Sequence, residues 1–120
     1  MQAHNTALLQ IVSTTMNAGE LSKHCGLDNH ASQQPPAPHA YFCFETSSMC
    51  RSQEANEHIQ LLQTLLRDKA AFFKERAHKG DDISLFWFPS KDNKEMSLFS
   101  PASLNFLAGY NITLIFNPQN

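Results

Sequence analysis

Two hydrophobic periods alternate along this chain, and the switches between them mark its elements. Ala7 to Thr14 (ALLQIVST) is apolar and partly β-branched, which predicts a strand. Asn17-Ala18-Gly19-Glu20 follows with capping-box spacing. The Asn17 side chain can accept from the Glu20 amide while Glu20 reaches back. Leu21 and Cys25 continue a short helix, Gly26 supplies a left-handed stop, and Leu27 is the apolar residue that often comes after one. Ala40 to Thr46 (AYFCFET) alternates and is aromatic, so it predicts a second strand.

The longest pattern comes next. Ser52 is placed to cap a helix with Glu54 in its first turn. Apolar residues then fall at Ala55, Ile59, Leu62, Leu66, Ala70, Phe73 and Ala77, every gap being three or four. That spacing makes one continuous stripe, widened by Leu61, Leu65 and Phe72. Arg67-Asp68-Lys69 interrupts the pattern with three charges, a point where the helix can bend or break. His78 and Lys79 close the last turn and Gly80 ends it.

Asp82 to Phe88 (DISLFWF) is a strand, Pro89 to Asn93 a turn, and Lys94 to Phe99 (KEMSLF) its hairpin partner. Ser100-Pro101 pairs an N-cap with proline at the first helical position. Leu104 and Leu107 define a short helix stopped by Gly109, and Ile112 to Phe116 (ITLIF) is the last strand. The expected fold is therefore a single α+β domain spanning residues 1–120, in the order β-α-β-α-β-β-α-β. A mixed or mainly antiparallel sheet of about five strands packs against one long and two short helices. In Asp82 to Phe88, Ile83, Leu85 and Trp87 form one face and Ser84, Phe86 and Phe88 the other. The second set is unusually apolar for a solvent face. It implies either cover on both sides or an exposed patch, and cover is the expectation because three helices must pack somewhere.

One segment breaks the regular punctuation. Asp28 to His39 carries Pro35, Pro36 and Pro38 among Ser, Gln and Asn, and reads as a long loop. Loops of this length in a compact domain are either mobile or functional.

Composition narrows the function classes. With 42% hydrophobic and 17% charged residues, the 120-residue chain is globular rather than disordered. Nine Lys and Arg against eleven Asp and Glu give a net charge of −2, without the basic stripe of a phosphate-driven nucleic-acid binder. No run of about 18 apolar residues predicts a membrane span, and the first residues do not read as a secretory signal. Cys25, Cys43 and Cys50 are an odd number without framework spacing, which suits reduced thiols in a cytoplasmic protein. A Cys43–Cys50 bridge remains open for a chain working outside the cell.

Candidate chemistry is sparse. His24, Cys25, His30, His39 and Cys43 lie close in sequence, yet no CxxC, HxxxH or HExxH spacing appears, and adjacent helical residues project about 100° apart. No metal or cofactor is expected. The cysteines lack a nucleophile signature, and Asp81-Asp82 follows a helix stop as an ordinary turn. Glu54 and His58 are spaced to pair at i, i+4. There is no glycine-rich phosphate loop. The polar face of the long helix and the proline loop are left as the surfaces that could meet a partner.

The run into "NAGELSKHCGL", the aromatic middle strand, the "EHIQLLQTLLRDKAAFF" helix and the closing "LFSPASLNFLAGYNITLIF" block together resemble a small bacterial family. That family is catalogued as domain of unknown function number four-two-seven-nine. The resemblance runs from about Leu8 to Phe116. It implies an α+β fold and a bacterial cytoplasmic setting, and no established activity. Family members usually carry a proline-threonine and basic-glycine stretch after the first helix, where this chain has Asp28 to His39 with no glycine.

The expectation is a non-enzymatic protein-binding module, most concretely an immunity-type inhibitor that blocks a toxin domain. Its contacts are expected at the loop residues Asp28, His30 and His39 and the helix residues Glu54, Glu57 and Arg67. Two other classes compete. A phage or host regulator of a nucleoprotein complex would show a concentrated acidic face. A His/Cys metal protein or hydrolase would carry bound metal.

Overall fold

The computed structural model describes residues 4–93 and 98–116. Four strands form one mixed sheet in the order β2-β1-β3-β4. They are β1 (Thr6–Ser13), β2 (Ala40–Glu45), β3 (Asp82–Phe88) and β4 (Thr113–Phe116). β1 runs antiparallel to both β2 and β3, while β4 joins β3 in parallel. Helices α1 (Ala18–Cys25), α2 (Ala55–Leu65), α3 (Ala70–His78) and α4 (Pro101–Gly109) fill the connections, with a single 3-10 turn at Thr46–Ser48. The parallel step from β3 to β4 requires a crossover, and α4 supplies it.

The α+β class and single domain hold, and three details differ from the sequence reading. First, the sheet has four strands among the described residues rather than five. The expected hairpin partner falls largely on residues 94–97, outside the described residues, and Leu98 and Phe99 are not in a strand.

Second, the long helix is two helices. Asp68 takes a left-handed φ of +67°, which ends α2 and redirects the chain into α3. The apolar stripe continues across the break because Leu66 and Phe73, on either side of it, both enter the same core. Periodicity alone could not separate the two, whereas the charged triplet marked the place.

Third, every helix lies on one side of the sheet. Ala7, Leu9, Ile11, Phe42, Phe44, Ile83, Leu85 and Trp87 join residues from all four helices in one buried cluster. The alternate positions Leu8, Val12, Phe86 and Phe88 do not belong to it. The expected helical cover on the second face is not found among the described residues. The helices stack on one face as a single layer, with α4 packed beside α2.

The caps behave largely as the sequence implies. Asn17 and Glu20 make the reciprocal capping box at 2.8 and 3.0 Å, and Gly26 takes φ +70°. Ser100 accepts from the Ser103 amide ahead of Pro101. Two assignments move. Ser52 accepts the Glu54 amide, but Glu54 occupies the cap position of α2. At the end of α4 the left-handed residue is Asn111, φ +58°, rather than Gly109.

Two of the polar side chains buried within this framework tie distant elements together. Arg76 reaches Thr15 Oγ1 at 2.9 Å and Asp81 at 3.5 Å, tying the end of α3 to the turn after β1. His58 is the second. Its Nε2 lies 2.7 Å from the Ser52 carbonyl, which can only accept, so Nε2 carries the proton. Nδ1 is then an acceptor for the Thr46 hydroxyl at 2.6 Å, and Thr46 Oγ1 itself accepts the Ala7 amide at 2.8 Å. The expected Glu54–His58 pair does not form, because His58 points into the core against Trp87. Burial pushes the His58 pKa down, opposed by the Ser52 carbonyl and Glu57.

Candidate functional site

The helix-free face is ordered by strand register. One cross-strand row reads Glu45, Leu8, Phe86, Ile115 from β2 to β4. The next reads Cys43, Gln10, Ser84, Thr113, and the third Tyr41, Val12, Asp82. Two apolar rows therefore flank a small polar row, and each ends in a carboxylate at the opposite side of the sheet. Phe88 extends the surface, its ring stacked 6.0 Å from that of Phe86. Ile115 is 36% exposed, and Leu8, Val12, Phe86 and Phe88 are half-buried. No Lys or Arg occupies a strand position on this face.

The proline loop borders the same face. Val12 and Tyr41 form the floor of a groove of about 520 Å³, walled by Gln33, Gln34, Pro35 and His39. Tyr41 is held in place through its hydroxyl, which donates to Gln10 Oε1 at 3.2 Å. Burial raises the pKa of Tyr41 and, beside it, of the Cys43 thiol.

The loop is not slack, because its side chains pair with the outer edge of β2. The Gln34 amide makes a two-way bond with the Tyr41 backbone, accepting at 2.9 Å and donating at 2.7 Å. Asn29 Oδ1 accepts the Cys43 amide at 3.1 Å, and the His30 amide donates to the Cys43 carbonyl at 2.8 Å. His30 Nδ1 accepts the Glu45 amide at 2.9 Å while its ring stacks on Phe44. Loop side chains and the His30 backbone amide thus occupy hydrogen-bonding groups of this edge at Tyr41, Cys43 and Glu45, which blunts it for further pairing.

The six residues expected to meet a partner do not form one cluster. Asp28, His30 and His39 are exposed on the loop, but His30 is engaged in holding the β2 edge and only His39 lines the groove. Glu54 and Glu57 are exposed at the start of α2, where Glu57 accepts from the Ser52 hydroxyl. Arg67 is exposed beyond the far end of α2, roughly 15 Å away at 1.5 Å per residue. There it lines a separate cleft of about 430 Å³ with Gln63, Asn105 and Tyr110. Sequence reasoning registered Phe86 and Phe88 as anomalous and missed Leu8, Val12 and Ile115. Their register with the two phenylalanines is a property of strand pairing.

The three cysteines are unbridged. Cys25 is fully buried, and that burial pushes its thiol pKa up to about 12. It is a core side chain and not a thiolate nucleophile. No group of three or more His, Cys, Asp or Glu is placed to hold a metal among the described residues. No described helix is long and apolar enough to cross a membrane.

Comparison with protein-family models, curated proteins and solved structures finds no match for this chain. The resemblance noted above rests on the quoted residues alone.

Proposed function

We propose that this protein is a binding module that receives a protein partner on the helix-free face of its sheet. The observation that carries the reading is the apolar row Leu8, Phe86, Ile115, which crosses three strands outside the core. Antiparallel sheets that leave one face to water normally alternate cleanly between apolar and polar. Here both faces of β3 are apolar, and among the described residues helices cover one of them. Contiguous apolar surface rimmed by polar groups is characteristic of protein interaction sites. The most concrete form of the reading is an immunity-type inhibitor that blocks a toxin domain. It is supported by the rigid four-stranded scaffold and by the carboxylates at the rim, which suit a basic partner.

The test compares the tagged wild-type chain with a Leu8→Ser/Phe86→Ser variant in capture from lysate of the source cells. Circular dichroism first establishes that the variant is folded. The expected result is one stoichiometric protein retained by the wild type and lost with the variant, identified by mass spectrometry as a toxin domain. Equal retention by both chains would place the contact elsewhere and overturn the reading.

A further inference from the structure

We infer that the occupant of this face is an amphipathic helix of the partner, with a lysine or arginine at the Glu45 end. The inference rests on the proposed role of the face and specifies what binds there. Leu8 and Ile115 are two strand spacings apart, about 10 Å, with Phe86 between them. Apolar residues at i, i+4 and i+7 of a helix span about 10.5 Å, which matches the row. Glu45 lies one strand spacing beyond Leu8, roughly 5 Å, within reach of a residue one turn before the first apolar position. Such a helix would give the sheet a layer on its second face, the arrangement that both-sided apolar strands favour.

Charge decides between this occupant and a second copy of the chain. Glu45 and Asp82 lie at the ends of the apolar rows, and neither makes a salt bridge among the described residues. Two copies packed face to face would bring these carboxylates, with Gln10 and Ser84, toward a surface that offers no strand cation in return. Both carboxylates are exposed, and Asp82 accepts from the Ser84 hydroxyl at 3.1 Å, so the cost of such a dimer is unbalanced like charge around its rim. A cationic helix satisfies Glu45 directly. Asp82 sits four residues along β3 from Phe86, about 13 Å away, and so outside the footprint of a single helix. The two carboxylates are therefore predicted to behave differently.

The experiment uses two dye-labelled probe peptides, one of leucine and lysine at amphipathic helical spacing and one with glutamate in place of lysine. Fluorescence anisotropy at low salt measures their binding to the full chain. The lysine peptide is expected to bind about tenfold more tightly than the glutamate peptide. Glu45→Gln should weaken it roughly threefold, the scale of one exposed ion pair. Asp82→Asn should leave it unchanged, and Phe86→Ser should abolish it. Equal binding of both peptides, lost with Phe86→Ser, would overturn the cationic assignment while leaving the face as a docking site. Binding of neither peptide, with a dimer in light scattering, would overturn the helix in favour of a second copy. Binding of neither with a monomer would overturn the helix outright. Capture from lysate that is insensitive to Leu8→Ser/Phe86→Ser would instead count against the underlying reading.

Discussion

The two faces of this sheet are made from alternate residues of the same strands, and they differ in what finishes them. On one face, the rows Phe44-Leu9-Leu85-Leu114 and Phe42-Ile11-Ile83 meet four helices, and Leu9 and Ile11 are fully buried. On the other, Leu8-Phe86-Ile115 is just as continuous and meets no described helix. Apolar character therefore does not separate structural from available surface in this fold. Register and the side on which the crossovers pass separate them. The connections carry α1, α2, α3 and α4 to the same side, leaving a second apolar row outside the core.

The largest effect that can sharpen this contrast lies on the helix side. Phe73 is fully buried in α3, packed edge-on against Tyr110. Phe73→Ala should cost about 3–5 kcal/mol in urea unfolding, since a large cavity opens where helix and sheet meet. A loss below about 1 kcal/mol would mean that α3 is not seated on the sheet.

A smaller effect comes from His58. Replacing it with Phe keeps an aromatic ring against Trp87 but strands the Ser52 carbonyl and leaves the Thr46 hydroxyl only its Ala7 partners, a penalty of about 1–3 kcal/mol. The pH dependence has a definite sign. The folded His58 pKa lies below its ordinary value near 6.5, so below that pH the unfolded chain takes up the proton more readily. Its contribution to stability is intact above about pH 6.5 and is lost as pH falls toward the folded value. Denaturation at a series of pH values should show a weaker acid dependence for His58→Phe than for wild type. Identical slopes would remove His58 as a source of acid sensitivity.

Smaller still is the loop along β2. Asn29→Ala removes acceptors for the Cys43 and Ala31 amides. The expected loss is about 1 kcal/mol, with faster hydrogen exchange at Cys43 and Ala31 and unchanged exchange in β3. Unaltered exchange at Cys43 would show that the loop does not guard that edge.

Much of this architecture was legible in the chain because it is written locally. The Asn17–Glu20 box, Gly26, Ser100-Pro101 and the strand alternation each need only a few neighbouring residues. The break between α2 and α3 was announced by Arg67-Asp68-Lys69, although the stripe of apolar residues ran straight through it. What escaped depends on contacts distant in sequence. Asn29 and Gln34 bond the backbone of β2 at Cys43 and Tyr41, fourteen and seven residues onward, and nothing in a polar loop signals that outcome. His58 looked like a helix-surface partner for Glu54 until Thr46 and Ser52 came within reach of its ring. The candidate surface was half legible. Phe86 and Phe88 stood out as too apolar for a solvent face, but choosing between cover and exposure required knowing which side the helices take.

Adjacent residues of one strand separate the two faces most sharply. Leu8 and Leu9 have the same side chain, one residue apart, pointing to opposite faces. Urea unfolding of Leu9→Ala should show a loss of about 2–5 kcal/mol, and that of Leu8→Ala less than about 1 kcal/mol. Equal losses would mean that the second face supports the fold as strongly as the first, and is therefore not available to a partner.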